Sequence, residues 1–133
     1  TSLFVMVNDF EAMARSGRIN KWAGRVGQFS GIKPIVSVDK SGKGAYFATG
    51  FNTEHALSKM ITTIQKMQSM PGKELERYCI VHAGADEKAR DFATRTTEVF
   101  KKAPAYIENV SPAIGLHAGQ GCIALAARIV ERK

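Results

Sequence analysis

Arg77-Tyr78-Cys79-Ile80-Val81-His82, Asp86-Glu87-Lys88-Ala89-Arg90-Asp91-Phe92-Ala93 and Pro104-Ala105-Tyr106-Ile107-Glu108-Asn109-Val110 follow one another along the chain. The first stretch is short, apolar and bounded by breaks, so it predicts a strand over 77–82. The second opens with acidic residues, which suit the positive end of a helix. From Asp86 onward Ala89, Phe92, Ala93, Val99 and Phe100 keep helical spacing, and Lys101-Lys102 close the helix. The third stretch reads as another strand. Strand, helix and strand in that order point to an α/β fold.

Working outward, a long helix is expected over 53–69, with Leu57, Met60, Ile61, Ile64 and Met67 facing inward and Pro71-Gly72 ending it. Before it, 33–38 and 45–49 read as a hairpin around a turn at 39–44. Residues 3–7 form a short apolar strand. Asp9 can cap a short helix carrying Phe10, Met13 and Ala14, which stops at Gly17. A second helix from about Asn20 places Ile19, Trp22, Ala23, Val26 and Phe29 on one stripe, with Arg18, Lys21 and Arg25 beside it. Gly24, Gly27 and Gly31 weaken that helix by up to ~1 kcal/mol each against alanine. The tail over 114–130 suits a strand or a helix, because Ile123-Ala124-Leu125-Ala126 fits either. The whole of 1–133 is therefore expected to be one α/β sandwich lobe with a mixed sheet and flanking helices.

Composition is that of an ordinary globular chain: 133 residues, 44% hydrophobic and 23% charged. No apolar run approaches the ~18–20 residues that cross a bilayer. The run Leu3-Phe4-Val5-Met6-Val7 is too short for a signal-peptide core and has no basic segment before it. Cys79 and Cys122 sit in apolar stretches without CxxC spacing, as expected of two buried, reduced thiols in a cytoplasmic protein. Thr1 leads straight into the first apolar strand, which is expected of a piece of a longer chain. The net charge of +7 is uneven. No acidic residue occurs from Ala12 to Val38, while Arg15, Arg18, Lys21, Arg25 and Lys33 are all basic. Such a field attracts anions of several kinds, including nucleic acid, a membrane surface, a carboxylate, a phosphate or an acidic partner; it also suits a merely solvated face.

Several familiar sites fail on spacing. Ser41-Gly42-Lys43-Gly44 lacks Walker spacing and leads into a strand, so it is a hairpin turn. Cys79 and His82 are three apart on a strand and point to opposite faces, so they form no nucleophile–base pair. Three dispersed histidines and no cysteine pair argue against zinc, and no carboxylate pair suits acid–base work. No catalytic residue, metal or cofactor is expected.

Two segments remain. In Arg15-Ser16-Gly17-Arg18-Ile19-Asn20-Lys21 one helix ends and another begins, so backbone amides and a guanidinium converge near a helix start. In Ile114-Gly115-Leu116-His117-Ala118-Gly119-Gln120-Gly121 a histidine stands among glycines, where backbone can approach a ligand closely. A solvated helix connection and an exposed loop histidine explain each segment taken singly. Both segments favour anions.

Taken together, Ser16-Gly17-Arg18-Ile19-Asn20 and Gly31-Ile32-Lys33-Pro34-Ile35 resemble the "GGRIS … IKPIL" pattern of DegV-family fatty-acid-binding proteins. The 114–121 segment is similar to the family's closing "IGTHTGPG", in the right order and at the right end. Ser16, Leu116 and Gln120 depart from the pattern. The resemblance implies the second of two α/β lobes that together enclose one long-chain fatty acid in a bacterial, cytoplasmic protein. It implies a missing N-terminal lobe, which supplies hydroxyls to the carboxylate. It also implies a partner kinase related to dihydroxyacetone kinase, separate or fused, that makes the acyl phosphate. By the same resemblance Arg18 and His117 would bind the ligand headgroup, with Gly17, Gly119 and Gly121 in the headgroup loops. Transient membrane contact is compatible with this role; nucleic acid is not an expected partner, because Trp22 and Phe29 lie on the apolar stripe and not among the basic residues. A basic nucleic-acid-binding module, or a lobe for another small anionic or phosphorylated metabolite, are the competing readings.

Overall fold

Met6 sits opposite Ile35 on one side and Ile123 on the other, so residues more than a hundred apart in sequence lie side by side. The computed structural model describes residues 2–7, 33–39, 44–109 and 121–131. Its elements are β1 (Ser2–Met6), β2 (Lys33–Val38), β3 (Gly44–Gly50), α1 (Thr53–Gln68), β4 (Lys73–His82), α2 (Asp86–Phe100), β5 (Ile107–Asn109) and β6 (Ile123–Glu131). Among the described residues the strands form one sheet in the order β3-β2-β1-β6-β4-β5. Every neighbouring pair is antiparallel except β4 with β5, which are parallel and joined through α2. The fold is the expected α/β arrangement with a mixed sheet.

Both helices form where the apolar spacing places them. Asn52 caps α1, its side-chain oxygen accepting from the His55 backbone N–H at 2.8 Å, which satisfies one of the amides a helix start leaves unpaired. Ala56, Leu57, Met60, Ile61 and Ile64 are buried, and Met67 is half-buried at the rim. On α2 the buried residues are Ala89, Phe92, Ala93, Thr96 and Phe100, and Lys101 ends the helix in the left-handed region. These side chains meet Phe4, Met6, Ile35, Ile80, Ile123 and Leu125 from the sheet. Each fully buried large apolar side chain is worth about 1.5–3 kcal/mol, so among the described residues this layer between helices and sheet is the main core, with a smaller cluster of Ala83, Cys122 and Val5 apart from it.

The described structure departs from the expected boundaries in three places. β4 begins at Lys73, four residues earlier than expected. Lys73-Glu74-Leu75-Glu76 has one apolar residue and no strand-like alternation, but its first three residues pair with the end of β6, opposite Ile129–Glu131. β5 is shorter than 104–110. Pro104 has no N–H to give, and the ladder counts only from Ile107, although the Ala105 N–H already reaches the Tyr78 carbonyl at 2.7 Å. The ambiguous tail is a strand. Its alanines carry helical propensity, but β6 lies between β1 and β4 and pairs on both sides, and tertiary pairing overrides propensity. The two expected helices within 9–31 lie outside the described residues.

A β-bulge between Leu75 and Arg77 turns two carbonyls out of the ladder. The Lys102 ammonium takes both, at 3.0 Å to Leu75 O and 2.8 Å to Glu76 O. Beside it, the buried Tyr78 hydroxyl bonds the Lys102 carbonyl at 2.6 Å and Thr96 Oγ1 at 3.0 Å, while its ring meets Phe100 edge-on. Burial pushes the Tyr78 phenol up, and the hydroxyls of Thr96 and Thr97 offset part of that. Tyr78→Phe keeps the packing but leaves acceptors short of a donor, so it should lower unfolding free energy by about 1–3 kcal/mol. A urea melt that matches wild type would show these bonds to be of no consequence.

Candidate functional site

Of the expected headgroup residues, Gly17, Arg18, His117 and Gly119 lie outside the described residues, as do the basic residues Arg15, Lys21 and Arg25. Gly121 is described. What the structure does show is where the residues flanking the two segments that carry them lie.

The described flanks of both segments lie at one end of the sheet. β1 ends at Met6 and β2 begins at Lys33, and the Val7 N–H donates to the Pro34 carbonyl at 2.8 Å. The segment 8–32 therefore has its two flanks side by side. β5 ends at Asn109, opposite His82 at the end of β4, and His82 pairs with Ile123 at the start of β6. The flanks of segment 110–120 thus lie at that same end. Because β1 and β6 are neighbours, with Met6 opposite Ile123, the two pairs of flanks are adjacent. Two further elements open there. β3 ends at Gly50, opposite Lys33, and α1 follows it; α2 follows β4. Both helices so begin near this end, where their unpaired amides and dipoles favour negative charge.

The turn Ala83-Gly84-Ala85 between β4 and α2 is tied by hydrogen bonds to several strands at this end. The Ala83 N–H bonds the Cys122 carbonyl at 3.1 Å, and the Ala83 carbonyl accepts from the Gly121 N–H at 2.6 Å. The Gly84 N–H donates to Asn109 Oδ1 at 3.0 Å. The Ala85 N–H donates to His82 Nδ1 at 2.9 Å. Gly84 and Gly121 both sit at positive φ, +66° and +90°, which a side chain resists. His82 is 3% exposed. Its Nδ1 is an acceptor, so the proton of the neutral ring is on Nε2, 3.7 Å from Asp86 Oδ1. Asp86 also pairs with Arg90 at 2.9 Å. α2 has no side-chain cap of its own, and the imidazole takes the amide at its start instead.

Sequence reasoning used His82 only to exclude a pair with Cys79. The structure agrees with that exclusion: His82 is buried on the helix side, and Cys79 is half-buried among the intervening positions of the strand. It missed His82 and Asn109 as parts of this end. The sole local signal was a histidine three residues before an uncapped helix start; the Asn109 contact spans 25 residues and leaves no trace in spacing.

Other chemistry is sparse. Cys79 and Cys122 are free thiols, and burial pushes the Cys122 thiol up while backbone contacts of Ala83 and of Cys122 itself offset part of it. A buried thiol of raised pKa is a poor nucleophile at neutral pH. Among the described residues no three His, Cys, Asp or Glu side chains are arranged to hold a metal ion. No described helix is long and apolar enough to cross a membrane. A groove of about 590 Å³ runs between α2 and the approach to β5, past Thr97, Pro104 and Ile107. A second, of about 310 Å³, is lined by Arg77, Cys79, Tyr106 and Arg128. Neither touches His82, the 83–85 turn or Gly121.

Known proteins resemble this chain over nearly its whole length. A family model described as an uncharacterised protein of the DegV family matches residues 1–129. A DegV domain-containing protein of Clostridium acetobutylicum is 28% identical over 125 residues, which are 92% of this chain and 43% of that protein. The crystal structure of a fatty acid binding DegV family protein from Streptococcus agalactiae superposes with a TM-score of 0.76 at 21% identity, covering 99% of this chain and 44% of the other. The Streptococcus pneumoniae fatty acid kinase B3 protein, solved loaded with linoleic acid, gives a TM-score of 0.74 at 15% identity with the same coverage. The chain spans less than half the length of these relatives, and over that span it belongs to the DegV family.

Proposed function

We propose that these 133 residues are the second lobe of a cytoplasmic two-lobe protein that binds one long-chain fatty acid and presents its carboxylate to a partner kinase. The kinase transfers a phosphoryl group to a carboxylate oxygen, giving the acyl phosphate; the lobe makes and breaks no bond itself. The observation that carries this reading is the sheet register, which gathers the flanks of both motif segments at one end. Family membership supports it, as do relatives of the same fold that are described as fatty acid binding and as a fatty acid kinase B protein. In this reading Arg18 supplies a fixed cation and His117 an imidazole, which together offset the charge gained on phosphorylation. Gly17, Gly119 and Gly121 let backbone come close to the headgroup. The first lobe completes the tunnel and the carboxylate's hydroxyl donors.

The test compares oleate binding by the complete protein and by residues 1–133 alone. Half a tunnel leaves the acyl chain in water and forfeits part of the ~0.8 kcal/mol per buried methylene. The complete protein should bind oleate stoichiometrically and with little dependence on salt, unlike a binder of phosphate backbones, whose affinity falls steeply with salt. The isolated lobe should bind poorly. Tight, stoichiometric binding by a monomer of residues 1–133 would contradict the division of labour between lobes.

A further inference from the structure

The 83–85 turn holds both flanks of segment 110–120 at once. Asn109, the last residue before the segment, accepts the Gly84 N–H through Oδ1 at 3.0 Å. Gly121, the first after it, donates its N–H to the Ala83 carbonyl at 2.6 Å. Cys122 continues the tie by accepting the Ala83 N–H. The turn in its own right is held by the buried His82 ring, whose Nδ1 takes the Ala85 N–H. Three consecutive backbone amides of a tight turn are thereby each bound at a different place: the residue just before β6, the end of β5, and the end of β4. Side chains at two of these three points are not interchangeable with apolar ones. His82 must offer an unprotonated nitrogen, and Asn109 must offer an oxygen.

We propose that His82 and Asn109 are positioning residues for the headgroup contact, acting through the 83–85 turn on the two ends of the segment that carries His117. The inference rests on the fatty-acid reading above. Neither residue touches the ligand in this account. His82 sets the turn, the turn and Asn109 set the separation and direction of the segment's ends, and those set where the segment can present a side chain. Misplacing a headgroup contact by ~1 Å can cost about 100-fold in rate with little effect on binding of the rest of the substrate. Tail burial governs retention, so the loss should fall on phosphoryl transfer.

The experiment uses the complete protein, loaded with oleate, as substrate for its acyl-phosphate-forming kinase. Asn109→Ala removes an acceptor at an exposed position and should leave the melting temperature near that of wild type. It should lower the kinase's kcat about tenfold or more, with KM for the loaded protein and oleate occupancy little changed. Asn109→Asp keeps an oxygen at the same place and should restore most of the rate. His82→Leu should show the same loss of kcat together with a lower melting temperature. His82→Asn, whose Oδ1 can stand where Nδ1 stood, should recover turnover more than stability, because it does not refill the space of the ring. Normal turnover by loaded Asn109→Ala and loaded, folded His82→Leu would overturn the positioning role alone. A wild-type protein that neither holds oleate nor serves as a kinase substrate would overturn the functional reading and this inference with it.

Discussion

Arg18→Ala and His117→Ala, each made in the complete two-lobe protein, should reduce acyl-phosphate formation far more than they reduce fatty-acid occupancy. A fatty acid that buries on the order of a dozen methylenes gains roughly 10 kcal/mol gross from its tail. Truncating one member of a buried charge pair costs about 2–5 kcal/mol. In the proposed function the tail therefore decides retention, and the headgroup contacts decide orientation and the stabilisation of developing phosphate charge. Placed on the transition state, even the low end of that range is about a 30-fold loss of turnover. Arg25→Ala is the control, since Arg25 belongs to the same basic stretch of sequence but lies outside the proposed headgroup motif. Its effect should be on kinase docking and should fade with added salt. Turnover at saturating fatty acid, measured beside lipid occupancy for each variant, separates the two. Normal turnover by both fully loaded variants would remove Arg18 and His117 from the headgroup.

The second large effect concerns stability. Gly50→Ala should destabilise the fold by about 3 kcal/mol, at the upper end of overpacking costs. A methyl group at Gly50 would stand 2.5 Å from the Ala56 backbone nitrogen and 2.6 Å from both its Cα and Cβ. The obstacle is the first turn of α1 itself, so no rotamer change relieves it. The sign is the informative part. Where alanine fits, replacing glycine stabilises by about 0.4–1 kcal/mol through the unfolded state. A urea midpoint equal to or above that of wild type would mean that β3 and α1 do not approach as closely as described.

How much of this was legible beforehand follows the range of the interactions. α1 was readable almost to the residue because its apolar spacing and Pro71-Gly72 stop are local, and the same holds for α2 and for the β2–β3 hairpin, although the Asn52 cap was not picked out. The place of β6 was not readable. Its identity as a strand depends on pairing with β1, more than a hundred residues before it, and with β4. The early start of β4 failed for the same reason, since Lys73–Glu76 is a strand only because the end of β6 lies beside it. The motif segments were visible as residue types, but that their flanks share one end of the sheet emerges only from register. His82 showed as an isolated histidine, and nothing local revealed that Asn109 meets the turn His82 holds.

Mass spectrometry of the complete native protein after organic extraction tests the central claim most directly. The account predicts one long-chain fatty acid per protein molecule. An extract with no lipid, or with a phosphorylated non-lipid metabolite in its place, would contradict it.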